Sequence, residues 1–98
     1  MIVCALRIEL YLPTVHSLKE KRAVIRPIID GARHRHHVAA AETGHHDRWQ
    51  RAEIGMAVVG GSTAHVREVA YAVERFVWSF PEAEVISIER AWLDPDDE

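Results

Sequence analysis

Ile2, Cys4, Leu6, Ile8 and Leu10 alternate with Val3, Ala5, Arg7, Glu9 and Tyr11 at the start of the chain. Successive side chains of a strand point to opposite faces, so this run predicts a strand with one wholly apolar face. Pro13 ends it, because proline supplies no ladder donor. Ser17 followed three residues later by Glu20 has the form of a capping box, which starts a helix at Leu18. Leu18, Ile25, Ile28, Ile29 and Ala32 mark its buried stripe. Pro27 lies inside that helix, where a missing donor and a crowded preceding turn cost about 3 kcal/mol. A kink or early break is expected there, with Gly31 and the polar run from Arg33 to His37 as the exit.

The next segment, His37 to Thr43, reads as a short edge strand, since Val38 is its one β-branched residue before Thr43. Gly44, His45, His46 and Asp47 make a turn. From Trp49 to Gly60 a long alternating run follows, with Ala52, Ile54, Met56 and Val58 on the core side and Arg51, Glu53, Gly55 and Ala57 on the other. Ser62 or Thr63 caps a second helix. Its stripe of Val66, Val69, Ala70, Val73, Phe76, Val77 and Phe80 is the clearest helical pattern in the chain, and Pro81 stops it. Glu84 to Leu93 supplies a last strand around Val85, Ile86 and Ile88, and the acidic end from Asp94 is expected to fray.

The order strand, helix, strand, strand, helix, strand is the split βαβ pattern. It predicts an α+β fold, a ferredoxin-like βαββαβ two-layer sandwich. Its four-stranded antiparallel sheet has order 4-1-3-2, and both helices lie on one face. The single domain spans 1–93, and 94–98 form an acidic tail. Arg7, Glu9, Tyr11, Trp49, Arg51, Glu53, Ser87 and Glu89 fall on the uncovered face, where opposite charges on neighbouring strands can pair.

A chain of 98 residues, 48% hydrophobic and 28% charged, has the balance of an ordinary globular domain with one core. Cys4 is the sole cysteine, which excludes an internal disulfide and any CxxC motif and fits a reducing compartment. No basic segment precedes the apolar opening run, and no later run approaches the roughly 20 residues of a membrane span. A cytoplasmic protein with no membrane partner is the expectation.

The net charge of -3 gives the whole molecule no polybasic bias, but the charge is unevenly placed. Between His16 and His37, Lys19, Lys21, Arg22, Arg26, Arg33 and Arg35 outweigh Glu20 and Asp30. From Glu82 onward carboxylates dominate, with Arg90 against them. Lys19, Lys21 and Arg22 cluster in the first turns of a helix beside backbone amides without intrahelical partners, and Arg26 continues the set, an arrangement that favours phosphate. Trp49 and Gln50 are candidate secondary contacts, the indole as a stacking platform and the amide as a hydrogen-bonding neighbour. The usual RNA-recognition motif is disfavoured, because Cys4, Ala5, Gly55 and Met56 stand where its aromatics would be.

Tyr71 and Trp78, on the outer side of the second helix, are candidates for a partner or homodimer surface. Glu42, His45, His46 and Asp47 carry ligand types that suit zinc, with His34, His36 and His37 elsewhere. Adjacent histidines on a strand point opposite ways, however, and no HExxH or fixed multi-histidine spacing is present, so neither metal nor other cofactor is expected. Nor is a catalytic residue assigned: Cys4 lies on a core strand without an evident base, Ser17 and Ser62 are caps, and GxSxG, P-loop and GxGxxG motifs are missing.

The opening run, SLKEKR from Ser17 to Arg22, AETGHHDRWQRAEIGMAVV from Ala41 to Val59 and FPEAEV from Phe80 to Val85 together resemble the YlxP-like domain-of-unknown-function family. The pattern falls on Ser17, Leu18, Lys19, Lys21 and Arg22, and on Glu42, Asp47, Trp49, Gln50, Ala52 and Gly55; Pro27 and Trp78 depart from it. The resemblance implies a ferredoxin-like fold. It also implies a bacterial gene context of transcription and translation, near ribosome-binding factor A, and hence RNA or the ribosome as partner. The leading expectation is a non-catalytic binding domain of that kind. A protein-interaction or homodimerisation module using Tyr71, Trp78 or a sheet edge is the first alternative, and a small metal-dependent enzyme at Glu42, His45, His46 and Asp47 the second.

Overall fold

A computed structural model describes residues 1–96. Its elements are β1 (Ile2–Tyr11), α1 (Leu18–Arg35), β2 (Ala39–Gly44), β3 (Arg51–Gly60), α2 (Thr63–Trp78) and β4 (Glu84–Leu93). The sheet has order β2-β3-β1-β4 with every pair antiparallel. This is the 4-1-3-2 ferredoxin-like arrangement, with the two longest apolar alternations at the centre.

The alternating periods produce one core. Cys4, Leu6, Ile8 and Leu10 of β1 and Ala52, Ile54, Met56 and Val58 of β3 are buried against Ile25, Ile28 and Ala32 of α1 and Val66, Ala70, Val73 and Val77 of α2. Both helices therefore cover the same face of the sheet. Ser17 accepts from the Glu20 amide at 3.1 Å, which satisfies a first-turn donor, while the Glu20 carboxylate accepts from the amide of His16, just before the cap, at 2.8 Å. Ser62 caps α2 by accepting from the His65 amide at 3.2 Å.

Two sequence expectations need correction. Helix α1 does not break at Pro27 and runs through Gly31, but it ends at Arg35, inside the expected run Arg33 to His37. Lys21 and Ile25 before Pro27, and Ile28 and Ala32 after it, are all buried. Burial of each large apolar side chain is worth about 1.5–3 kcal/mol, enough together to offset the proline. The exit comes at His37, whose φ of 55° supplies the left-handed turn expected of glycine. In the second correction, β2 and β3 begin two residues late, at Ala39 and Arg51. The last strand runs from Glu84 to Leu93 as expected, with a bulge: its pairing with β1 shifts between Glu9 and Leu10, and Ile86 is the unpaired, exposed residue there. The acidic end is described as far as Asp96, whose amide donates to Asp94 at 3.0 Å; the last two residues of the tail, 97–98, lie outside the described residues.

Candidate functional site

The helical repeat brings Lys19, Arg22, Arg26 and Arg33 to one face of α1, opposite the core stripe. All four are exposed, and none forms an ion pair with another described residue. Lys19, Arg22 and Arg26 line a shallow concavity of about 580 Å³ with Ala23, Pro27 and Asp30. Arg22 and Arg26 also border a smaller hollow of about 260 Å³ that reaches Glu42 of β2. Pro27, a liability inside the helix, leaves a low surface between the cations.

Lys21 does not share that face. Only 2% of it is exposed, and its ammonium donates to the His45 carbonyl at 2.6 Å. The same nitrogen lies 2.7 Å from Glu42 Oε2, but off the line of a directed hydrogen bond, so the contact is one of charge. The signal for this was in the spacing: Lys21 stands in the row of Ile25, Ile28 and Ala32, one cation on the buried stripe. It ties α1 to the turn between β2 and β3.

From the other side of the sheet His45 is held again. Its Nε2 lies 3.0 and 3.1 Å from the two oxygens of Glu9, and Arg51 approaches Glu9 at 3.4 Å. His45 takes a left-handed φ of 57° to meet both partners. Next to this group Arg7 sits 3.5 Å from Glu53 and 3.8 Å from Glu89, so the expected cross-strand pairs form on the open face.

The other residues of interest separate. The Gln50 side-chain amide donates to the carbonyls of Pro13 and Val15, each at 3.2 Å, while the Leu12 amide donates to its backbone carbonyl at 2.9 Å. Gln50 thus clamps the β1–α1 loop to the start of β3. Trp49 beside it is 52% exposed and borders a hollow of about 310 Å³ with Asp47, Arg48, Gln50 and Arg51. These bonds, with the one from Lys21 to His45, hold the first turn of α1 and the hairpin tip at the same end of the molecule.

Glu42, His45, His46 and Asp47 are not gathered around a common point. The Glu42 carboxylate faces Lys21, the His45 ring faces Glu9, and His46 Nε2 lies 3.2 Å from the Glu42 carbonyl. Among the described residues no group of three or more histidine, cysteine or carboxylate side chains is arranged to hold a metal. Burial pushes the Cys4 thiol above its ordinary range, with Arg90 opposing and Glu74 adding to the effect, so it is no ready nucleophile. On α2, Tyr71 lies under the Arg90 guanidinium, 5.7 Å from ring centre to carbon, and Arg90 is bonded through two nitrogens to the buried Glu74. Trp78, at 62% exposure, stands free of this group.

A feature that the sequence reading missed crosses the open face. The register sets Ala39, Ala57, Ala5 and Ala91 side by side on β2, β3, β1 and β4. These alanines floor a second concavity of about 580 Å³, walled by Arg7, Glu53 and Glu89.

A family model described as "Protein of unknown function (DUF503)" matches residues 3–90. The chain belongs to the DUF503 family. It is 37% identical over 77 residues to the uncharacterized protein YlxP of Bacillus subtilis strain 168, an alignment that spans 79% of this chain and 84% of YlxP. The match to the DUF503 model contains α1, the hairpin and both central strands, so Lys19, Lys21, Arg22, Arg26, Trp49 and Gln50 all lie within it. No helix among the described residues is long and apolar enough to cross a membrane.

Proposed function

We propose that this DUF503 domain is a non-catalytic RNA-binding module that holds the phosphate backbone on the outer face of α1. The observation that carries this reading is the convergence of Lys19, Arg22 and Arg26, exposed and without an ion pair to any carboxylate among the described residues, on one concave surface. Their neighbour Lys21 is turned inward, tying the helix start to the hairpin, and is not part of the contact. Cations of this kind attract phosphate by displacing its counterions, which makes binding fall steeply with salt. The gene context implied by the resemblance makes RNA, and the ribosome as its bearer, the phosphate polymer of choice. The test is retention of total cellular RNA by the native chain over a salt series, beside a Lys19→Glu, Arg22→Glu, Arg26→Glu variant. Loss in the variant is expected; equal retention by both would defeat the reading.

A second reading is favoured by the exposure of Trp78 on α2 and of Ile86, Trp92 and Leu93 on the edge strand β4. In this reading the α2–β4 flank meets a second copy. Sedimentation over a wide concentration range, with Trp78→Ser as control, decides it: a strict monomer at the highest concentration removes it.

A further inference from the structure

We infer that the RNA held by α1 is a duplex, gripped through its phosphates without regard to base sequence; this rests on the reading that α1 binds RNA. Proteins that hold single strands pair a cationic track with aromatic side chains on which unstacked bases lie. Duplexes keep their bases stacked inside, so cations directed at the backbone suffice. The outer face of α1 carries Lys19, Arg22, Ala23, Arg26, Pro27, Asp30, Arg33 and His34; it has no phenylalanine, tyrosine or tryptophan, and its one ring, His34, stands about two turns beyond Arg26. The open sheet, the usual alternative platform in a fold of this kind, presents the row Ala39, Ala57, Ala5 and Ala91 at its middle, too short to stack on a base, and Tyr11 stands only at its end, between Arg51 and Glu84. Tyr71 and Trp78 are on α2 and Trp92 on β4, and none of them lines the concavity of Lys19, Arg22 and Arg26. Trp49 borders its own hollow with hairpin residues and none of α1.

The footprint is short. Lys19 to Arg26 spans about 10 Å at the helical rise of 1.5 Å per residue. Asp30 stands next along the same face, before Arg33, and its carboxylate turns phosphate away there. The contact is therefore confined to Lys19, Arg22 and Arg26 and displaces the counterions of about three phosphates, a slope of log affinity on log salt of about -3.

The experiment uses the intact chain and three probes: two blunt RNA duplexes of unrelated sequence and an unstructured single strand of the same length. Expected results are equal affinity for the two duplexes, at least tenfold weaker binding of the single strand, and a slope of about -3 that falls by about two in an Arg22→Gln, Arg26→Gln variant. Asp30→Asn is expected to tighten duplex binding severalfold, a gain that a poorly folded variant would not give, and Trp49→Ala to leave it unchanged. Single-strand binding as tight as duplex binding, or a tenfold loss in Trp49→Ala, overturns the duplex inference while RNA binding stands. Failure of all three probes to bind at low salt overturns RNA binding itself.

Discussion

Gly31 of α1 leaves the space that the Phe76 ring of α2 fills: a Cβ built at Gly31 would overlap the ring at Cζ and Cε2. Phe76 also meets Phe80 edge-on at 5.1 Å and His36 at 5.1 Å between ring centres, so it has little room to retreat. An exposed helical glycine changed to alanine would gain about 1 kcal/mol of helix propensity. Here overpacking, worth about 1–3 kcal/mol, should win. Gly31→Ala is expected to lower the melting temperature, and Gly31→Ala in a Phe76→Leu background to raise it. A stabilising Gly31→Ala in the parent chain would show that the ring moves aside freely.

Lys21 gives a prediction that separates stability from binding. Removing one member of a buried charge pair leaves the other uncompensated and costs about 3–5 kcal/mol, whereas replacing both with apolar residues is near neutral. Glu42 is about one-fifth exposed at 21%, so water screens it and the lower end applies. Lys21→Ala should therefore destabilise by about 3 kcal/mol in denaturant titration. Lys21→Met with Glu42→Leu should recover most of that loss and keep full RNA affinity, since Lys21 does not face the concavity. A collapse of RNA binding in the folded double variant would return Lys21 to the contact surface.

The contrast between these residues shows what the sequence discloses. Strand and helix periods were legible because each records a single geometry: Cys4 to Leu10 at a spacing of two, Val66 to Val77 at helical spacing. Order of elements then fixed the sheet. Gly31 was misread as a helix exit because its role depends on Phe76, 45 residues away in sequence and on another helix. Lys21 was grouped with Lys19 and Arg22 by adjacency, although neighbours on a helix point about 100° apart and its phase matched the core. The alanine row needs the register of three strand pairs at once, which no local pattern contains.

His36, between the end of α1 and Phe76, should make stability depend on pH. Burial first, then the charges of Arg35, His37 and Arg75, lower its pKa from the ordinary 6.5. Above 6.5 the ring is neutral in both folded and unfolded chains and its contribution is fully present. As pH falls below that value the unfolded chain takes up the proton first, so stability is lost down through the lower folded pKa. His36→Gln should flatten this acid-side slope in denaturant midpoints measured between neutral and mildly acidic pH. An unchanged slope would assign it to other groups.

Cys4 offers a check on the core itself. Its side chain has no exposure, burial holds the thiol protonated, and its sulfur touches no base among the described residues. Attack on a disulfide reagent needs thiolate that can also be reached, and the folded chain supplies neither. Labelling under native conditions should thus proceed at the rate at which the sheet opens, and become immediate in denaturant. Cys4→Ala should cost about 1 kcal/mol through the small cavity left in the core, and Cys4→Ser more, because the hydroxyl would be buried. Destabilising variants should speed native labelling in proportion to their loss of stability, and a native rate that stays fixed while stability falls would show that the thiol is reached without opening of the sheet.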